Sequence, residues 1–299
     1  MNDKIAIVIP TLNEEEAIGP VIDELLRFGY TNILVVDGHS QDRTVEIVKE
    51  KGVKVIRQQG KGKADAIKTA LNHVDQEYML LMDGDYTYPP IHIKDLYLKA
   101  FQENATHVIG ARTVDRKNIP LINRIGNYVL TKTFNVLFNT NLRDLCSGMY
   151  LIKTSEARQI LYETKGFSIE AELAAHTASS ARKIADHPIE YRERIGKTKL
   201  SRIHGLHIFR DLFLLAWYYH PAFFIFASSS LALIPASIIL SWVTVELLLF
   251  GVKHPVWAII GVTIFGVGAL ALLLAIMALY LKRLERRLHA KIHQLHIFK

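Results

Sequence analysis

The chain has 299 residues, half of them hydrophobic, and carries a formal net charge of +7. This length allows one large domain or two modest ones, and the single Cys146 excludes an intrachain disulfide and fits a reducing compartment. The charge does not indicate nucleic acid, because residues 182–210 and the tail from Lys282 carry the whole positive excess, with no aromatic-interleaved basic motif.

Strand-like runs alternate with helical patterns along the first 110 residues. The sequence predicts strands over 5–9, 32–36, 54–57, 78–82 and 107–109, and helices over 17–26, 44–51, 64–72 and 91–102. This alternation predicts an α/β fold with a mostly parallel central sheet covered on both faces. Ligands of such sheets bind beyond the carboxyl ends of the strands.

Polar segments follow four of these predicted strands, at 10–14, 37–42, 83–85 and 110–112. Asp83 and Asp85 lie one residue apart at a strand end, so their carboxylates can converge on one cation, with Gly84 letting a ligand approach the backbone. Hard oxygen ligands suit Mg²⁺ or Mn²⁺ bridging a substrate's phosphates. The alternatives are an Asp-Gly turn, and helix caps at Asn13 and Asp42.

Glycines and lysines at 60–63 precede the third predicted helix, like a phosphate cradle. The segment lacks the spacing of an ATPase P-loop, and no G-x-G-x-x-G follows the first strand, which weighs against a dinucleotide oxidoreductase. Two interpretations of Lys63 stay open, a solvated turn and a ligand contact.

Two long uncharged stretches, 212–245 and 254–281, each exceed the roughly 20 apolar residues that a bilayer-spanning helix needs. The short segment 251–254 between the predicted helices, with Glu246 just before it, predicts a tight hairpin. Basic flanks place both chain ends, and with them the catalytic domain, on the cytoplasmic side. Residues 120–138 and 206–219 have patterns typical of interfacial amphipathic helices, with core packing as the alternative.

The segments resemble the motifs of inverting family 2 glycosyltransferases of the GT-A fold, specifically the dolichol-phosphate mannose or glucose synthase group. IPTLNEEEAI is similar to P-x-x-N-E, VVDGHSQDRT to V-V-D-D-x-S-x-D-x-T, and GKGKADAIKTAL to G-K-G-x-A. MDGDYTYPP is similar to the D-x-D region, DLCSGMY to D-x-x-S-G-F, and YRERIGKTKLS to R-x-G-x-S-K-L. Gly38 stands where the family usually has a second Asp, and Thr87 where several members have a metal-contacting Gln.

The resemblance implies roles by position. A nucleotide sugar would contact Pro10, Leu12, Glu14, Val35, Asp37, Lys63, Asp83, Gly84 and Asp85, with the metal on Asp83 and Asp85. The catalytic candidates are Asp85, Arg112, Arg124 and Arg194, and the arginines suit the acceptor phosphate or the diphosphate. Ser147, Glu170, Glu172 and Lys199 are acceptor-side candidates, with the first turn of a helix as the alternative for both glutamates.

The resemblance also implies the reaction, a direct displacement that moves a hexose from GDP-mannose, UDP-glucose or UDP-N-acetylglucosamine to dolichyl or polyprenyl phosphate, as in glycan assembly for protein N-glycosylation. The predicted organisation is a cytoplasmic GT-A domain over 1–200, an interfacial helix over 201–220, two transmembrane helices over 221–281 and a basic tail over 282–299. The enzyme would contact membrane lipids in the cell membrane, or in the endoplasmic reticulum membrane of a eukaryote, and a homo-oligomer is compatible with the sequence.

Two other functions compete with this interpretation. A processive polysaccharide synthase usually has a Q-x-x-R-W motif, whereas Arg precedes none of the three tryptophans here. A catalytically silent membrane scaffold would keep the nucleotide fold for binding alone, and the intact Asp83 and Asp85 argue against it.

Overall fold

The computed structural model describes residues 2–160, 169–180, 182–196 and 221–297. The chain divides into two compact units, Met1–Leu215 and Ala216–Lys299. The predicted domain boundaries at 200 and 220 stay predictions, because residues 197–220 lie outside the described part.

The first unit is built on one mixed sheet, which has seven strands in the described part of the chain, in the order β3-β2-β1-β4-β6-β5-β7. Only β6 runs antiparallel to its neighbours, β4 and β5. The prediction of a mostly parallel α/β sheet is therefore confirmed. The strands are β1 Ile5–Thr11, β2 Ile33–Asp37, β3 Lys54–Arg57, β4 Tyr78–Leu81, β5 His107–Arg112, β6 Tyr150–Lys153 and β7 Ile184–Ile189.

Helices connect the strands, and the first of them buries one apolar face. A short 3-10 helix, Asn2–Lys4, leads into β1, and α1 buries Ile18, Val21, Ile22 and Leu25, which recur at helical spacing. These side chains join one core cluster with residues of β1, β2 and β4. The helices of this unit are α1 Ile18–Arg27, α2 Thr44–Glu50, α3 Lys63–Leu71, α4 His92–Glu103, α5 Leu121–Phe138, α6 Thr154–Ala157 and α7 Ile169–Ser179.

The strand order reverses between β1 and β4. From β1 the chain adds β2 and then β3 on one side, and β4 pairs with β1 on the other side. Such a switch point opens a crevice between the loops at the carboxyl ends of the two strands. The segments after β1 and after β4 are the ones that contain Glu14, Asp83 and Asp85.

Helix α5 was predicted as interfacial over 120–138. It buries Leu130, Thr131, Phe134 and Phe138, so part of it packs as core. Its remaining surface exposes a second apolar set, Leu121, Ile122, Ile125, Tyr128, Val129 and Val136. Core packing therefore applies to one face of the helix, and the interfacial role of the exposed face stays a prediction.

The second unit contains two apolar helices, α8 Pro221–Phe250 and α9 Pro255–Ile297. The turn predicted at residues 251–254 lies between them. Phe224–Phe250 and Pro255–Leu281 are long and apolar enough to cross a membrane, with mean hydropathies of 2.1 and 2.7. Helix α9 continues beyond the predicted span, so most of the basic tail is helical.

The two apolar helices pack closely where glycine leaves room. A Cβ on Gly261 would come within 2.8 Å of Leu240, and one on Gly268 within 2.8 Å of Leu233. The Ser229 hydroxyl donates a hydrogen bond of 2.8 Å to the carbonyl of Gly268. Such close backbone approach at small residues is typical of helix pairs in membranes.

Candidate active site

The D-x-D segment follows β4 at the switch point. Gly84 passes tightly against β1, where a Cβ would come within 2.9 Å of the Thr11 methyl group and 3.2 Å of the Ile9 side chain. A side chain at position 84 would therefore push this segment away from the sheet. The glycine is therefore required for packing, and ligand access at this position stays a prediction.

A sharp turn follows Asp85. Tyr86 has a φ of 70°, in the left-handed region that few residues other than glycine adopt. The Asp85 carboxylate accepts hydrogen bonds from the Thr87 amide at 3.2 Å and from the Thr87 hydroxyl at 2.5 Å. Thr87 therefore orients the carboxylate of Asp85 from behind.

Lys63 connects three loops of the site. It is the first residue of α3, and its Nζ donates to Asp83 Oδ1 at 2.7 Å and to Glu170 Oε1 at 2.6 Å. Burial opposes the charge of this lysine, but Asp83 and Glu170 raise its pKa well above the ordinary value. The solvated-turn interpretation of Lys63 is wrong, because its side chain points into the site.

Arg194 plays the corresponding part on the other carboxylate. Its Nη1 donates to Asp85 Oδ2 at 2.8 Å and its Nη2 donates to Glu14 Oε1 at 2.6 Å. Burial, reinforced by the negative charge of Asp83, raises the pKa of Asp85, and Arg194 acts in the opposite direction. The guanidinium thus ties the loop after β1 to the loop after β4.

The predicted D-x-x-S-G-F-like segment closes the site from a third side. A Cβ on Gly148 would collide with the Asp83 carboxylate, and the Gly148 amide donates to the Tyr88 hydroxyl at 2.7 Å. Ser147 is buried and its hydroxyl accepts from the Met149 amide at 3.3 Å. The segment therefore contacts Asp83 through its backbone at Gly148, while Ser147 shapes the turn.

Arg112 lies at the end of β5 and is held by protein groups. Its Nε and Nη2 form two bonds to the Asp144 carboxylate, at 2.7 and 2.9 Å, and Nη2 also donates to the Cys146 carbonyl at 2.7 Å. Burial opposes the charge of Arg112, but Asp144 raises its pKa well above the ordinary value. The acceptor-phosphate role of Arg112 stays a prediction, since these donors already have partners.

Arg124 lies in the first turn of α5, and its Nε donates to the Ile119 carbonyl at 2.7 Å. Asn127, three residues further along the same helix, donates to Asp144 Oδ1 at 2.7 Å. Residues three apart share a helix face, so Arg124 lies on the side of α5 that meets the Arg112–Asp144 pair.

The residues predicted to contact the nucleoside fall into a buried group and a more accessible group. Asp37 is fully buried and accepts the amides of His39 and Ser40 at 3.1 to 3.2 Å, so it shapes the turn after β2. Val35 is a fully buried core residue of β2. Pro10 is partly buried in β1 and Leu12 is exposed just beyond it. Their contacts with a nucleoside stay predictions.

The two glutamates lie in the first turn of α7, as the alternative interpretation expected, and both are buried. Glu170 reaches the site through Lys63. Glu172 is only 1% exposed, so the structure does not support the prediction that it contacts an acceptor directly. Lys199 lies outside the described residues.

A divalent cation fits the residues present at Asp83 and Asp85. Burial raises the pKa of Asp85 and the charge of Asp83 adds to this effect, and each carboxylate already binds a protein cation. Beside them, within the described part of the chain, the buried Thr11 hydroxyl and Arg194 Nε have no hydrogen-bond partner. Buried polar groups of this kind are usually satisfied by a ligand or water. A third His, Cys, Asp or Glu ligand does not adjoin the pair among the described residues.

Comparison with known proteins decides the family. The sequence profile of glycosyl transferase family 2 matches residues 6–161, just over half of the chain. The chain belongs to glycosyl transferase family 2. It is 31% identical over 298 residues to Glycosyltransferase AglJ of Haloferax volcanii, covering 95% of this chain and 98% of that relative. It is 33% identical over 209 residues to the Dolichyl-phosphate hexose transferase of the same organism, covering 68% and 89%.

The fold comparison agrees. The structure resembles that of glucosyl-3-phosphoglycerate synthase from Mycobacterium tuberculosis in complex with Mn²⁺, UDP-glucose and phosphoglyceric acid, with a TM-score of 0.56. The match covers 72% of this chain and 79% of the synthase at 19% identity. At this identity the likeness establishes the GT-A fold alone. The resemblance to GT-A family 2 glycosyltransferases is confirmed, and the protein is a glycosyltransferase.

Several residues of the site were not singled out from the sequence. Tyr88, Asp144 and Gly148 lie within the quoted motifs, so these motifs could have indicated them as site residues. Tyr191 and Arg192 are the first two residues of the quoted segment YRERIGKTKLS, before the part that matches R-x-G-x-S-K-L. Tyr191 packs edge-on against the Tyr88 ring at 5.4 Å, a contact that depends on the tertiary fold.

Proposed function

We propose that the protein transfers a hexose from a nucleotide sugar to dolichyl or another polyprenyl phosphate, in a single displacement that inverts the anomeric centre and depends on a divalent cation. The observation that carries the proposal is the pair Asp83 and Asp85 at the switch point, each neutralised by one protein cation. The relative named Dolichyl-phosphate hexose transferase supports the acceptor class.

The cations of the site suit a doubly anionic donor. Lys63 and Arg194 hold the carboxylates through charge-assisted bonds of 2.6 to 2.8 Å. With a cation between the carboxylates, both side chains can turn to the diphosphate while staying close to Glu170 and Glu14. Mg²⁺ or Mn²⁺ on Asp83 and Asp85 would neutralise the departing nucleoside diphosphate.

The acceptor requires no strong general base. A phosphate monoester has a second pKa of about 6, so its oxygen is already anionic near neutral pH. The chain's task is then to bring two anions together in line with C1 of the sugar. Arg124 is the arginine we assign to the acceptor phosphate, because only its Nε is engaged by the described residues.

A lipid acceptor calls for contact with the membrane. The exposed apolar face of α5 has Lys132 beside Tyr128, a combination suited to a headgroup layer. Helices α8 and α9 are long enough to anchor the chain. The basic residues that flank these helices in the sequence support a cytoplasmic location for the catalytic unit.

The test is transfer of radiolabelled sugar from GDP-mannose, UDP-glucose and UDP-N-acetylglucosamine into organic-extractable polyprenyl phosphate. The full-length protein is assayed in detergent with Mn²⁺, with Mg²⁺ and with EDTA. We expect one donor to give a lipid product whose formation EDTA abolishes and from which mild acid hydrolysis releases the free sugar.

The matched variants are Asp85→Asn and Asp75→Asn. Asp75 is fully exposed, and its ion pair with Arg158 is long at 3.8 Å, so this variant should behave as wild type. A protein that binds nucleotide but gives no lipid product from any donor would contradict the proposal and favour a silent scaffold or another acceptor.

A further inference from the structure

The segment after β7 lies along the D-x-D turn. We call residues 190–196 the strap. The Arg192 amide donates to the Thr87 carbonyl at 2.9 Å, and the Ile195 amide donates to the Asp85 carbonyl at 3.2 Å. The strap is therefore hydrogen-bonded to both sides of Tyr86, the residue with left-handed backbone.

Arg192 anchors the strap to a helix that belongs to no motif. Its Nη1 and Nη2 donate to the two carboxylate oxygens of Glu24, on α1, at 2.7 and 2.9 Å. These bonds to Glu24 raise the pKa of Arg192. Parallel two-point pairing of this kind fixes direction as well as distance. The side chain of Glu24 is only 15% exposed, so the pair is partly shielded from solvent.

The same guanidinium covers the strained turn. Its central carbon lies 5.0 Å from the centroid of the Tyr86 ring, within the range of a cation–π contact. A tyrosine with a φ of 70° is strained and persists only where the surroundings hold it. The backbone bonds of the strap and the Arg192 guanidinium are such surroundings.

Release of this turn would move Asp85. Asp85 immediately precedes Tyr86, and its carboxylate is oriented by the amide and hydroxyl of Thr87, which immediately follows. If the Tyr86 backbone relaxed toward an ordinary conformation, Asp85 and Thr87 would change direction relative to each other, and Thr87 would no longer orient the Asp85 carboxylate.

We propose that Arg192 and Glu24 are positioning residues for the cation site. They hold the Tyr86 turn in its left-handed conformation, so that Asp85 is presented to a divalent cation together with Asp83. The inference rests on the proposed function, since it takes Asp83 and Asp85 as the cation's ligands. Neither Arg192 nor Glu24 touches the substrate or the ion in this role.

The test measures Mn²⁺ binding directly. Free Mn²⁺ is titrated by electron paramagnetic resonance against full-length protein in detergent, once with UDP and once with GDP. The variants are Arg192→Gln, Arg192→Lys and Glu24→Gln. The control is Asp23→Asn. Asp23 precedes Glu24 on α1, and this variant breaks the 2.6 Å ion pair that Asp23 forms with Lys51.

Loss of a partner behind a metal ligand typically weakens metal binding about 10–100-fold. We expect Arg192→Gln and Glu24→Gln to weaken Mn²⁺ binding by about tenfold at the lower end of that range. Arg192→Lys should recover part of it, because a lysine keeps the charge over Tyr86 but loses the two-point pair. The half-activating Mn²⁺ concentration should rise in parallel, with a smaller change in kcat at saturating Mn²⁺.

Asp85→Asn separates the two levels of failure. If Asp85→Asn leaves Mn²⁺ binding intact, the cation site of the proposed function is wrong. If Asp85→Asn abolishes binding while Arg192→Gln binds Mn²⁺ as tightly as Asp23→Asn, the positioning role is overturned and the cation site stands. Equal losses in Arg192→Gln and Asp23→Asn, each following a lower melting temperature, would also overturn it, because helix α1 would then act through stability alone.

Discussion

The cations on the two sides of the site differ in how they are held. On one side, Lys63 bridges Asp83 and Glu170 of helix α7, and Arg194 bridges Asp85 and Glu14 of the loop after β1. On the other side, Arg112 is fixed by two bonds to Asp144 and one to a backbone carbonyl, in a pocket where both side chains are nearly inaccessible.

This difference separates exchangeable from permanent ion pairs. The divalent cation that we propose on Asp83 and Asp85 would compete for the same oxygens that Lys63 and Arg194 use, so those bonds would be replaced on ligand binding. Asp144 is buried, and burial alone would raise its pKa, but Arg112 holds the pKa of Asp144 below its ordinary value. Loss of Arg112 would therefore leave a buried carboxylate without its counter-ion. Motif arginines of similar sequence appearance therefore have different roles in the fold.

The largest effect is expected from breaking the permanent pair. Arg112→Gln leaves Asp144 buried without its counter-ion, which should lower the free energy of unfolding by about 3–5 kcal/mol. Urea unfolding of the detergent-solubilised protein measures it. Arg43→Gln, which removes an exposed pair with Glu50, should change it by less than about 1 kcal/mol. A stable Arg112→Gln protein that has lost acceptor binding would show that Arg112 serves the acceptor phosphate.

The donor side should respond in activity. Asp85→Asn removes a charged ligand of the proposed cation, and we expect transfer to fall by about 10²–10³-fold with unfolding little changed. Burial and Asp83 both disfavour the charged form of Asp85, so its loss does not destabilise the fold. Initial rates of lipid product formation at saturating Mn²⁺ measure the effect. An active Asp85→Asn enzyme would contradict the exchangeable role of this side.

A buried base without any counter-ion sharpens the comparison. His107 is buried, packs edge-on against the Tyr150 ring, and has no hydrogen-bond partner for either ring nitrogen among the described residues. Burial lowers the pKa of His107 from 6.5 to about 3. Its contribution to stability is therefore present above pH 6.5 and is lost as the pH falls toward 3, because only the unfolded chain takes up the proton.

Between pH 6.5 and 4.5 this group alone should lower the free energy of unfolding by about 2–3 kcal/mol. Urea unfolding at a series of pH values measures the slope, which His107→Phe should flatten. The exposed His73 provides the matched control, His73→Phe. Equal slopes for wild type and His107→Phe would show that His107 gains a proton acceptor in the folded protein.

The smallest effect is expected from a variant that keeps the positive charge at position 194 but cannot bond to both Asp85 and Glu14. Arg194→Lys cannot bond to Asp85 and Glu14 with the same geometry, so we expect transfer to fall about tenfold, with a higher KM for the donor. Steady-state kinetics with varied nucleotide sugar measure it. Arg43→Lys is the surface control. An unchanged KM would separate Arg194 from donor binding.

The sequence predicted the elements that depend on local pattern. The strands β1 to β5 and the helices between them follow clear periodicity, and their polar ends indicated where the site lies. Strand β6 is a run of four residues that pairs antiparallel, and such a short run cannot be told from a loop by its pattern. Strand β7 contains a proline, which suits its edge position but weakens its strand pattern.

For the site, the sequence predicted many of the residues but few of the contacts between them. Asp83, Asp85, Lys63 and Arg194 come together as the motifs indicated. The partners of Arg112 and Lys63 could not be predicted, because they depend on which segments meet in space. The left-handed turn at Tyr86 could not be predicted either, because a tyrosine does not favour that backbone conformation. The strap and its anchor on Glu24 lie 168 residues apart in the chain, which no local pattern connects.

The account is tested most directly by a structure of the full-length protein with Mn²⁺ and the nucleoside diphosphate of its donor, with Mn²⁺ located by anomalous scattering. We expect the ion on the carboxylates of Asp83 and Asp85, with Lys63 and Arg194 moved from those oxygens toward the diphosphate and the Arg112–Asp144 pair unchanged. An ion bound elsewhere, with the bonds from Lys63 to Asp83 and from Arg194 to Asp85 intact, would contradict it.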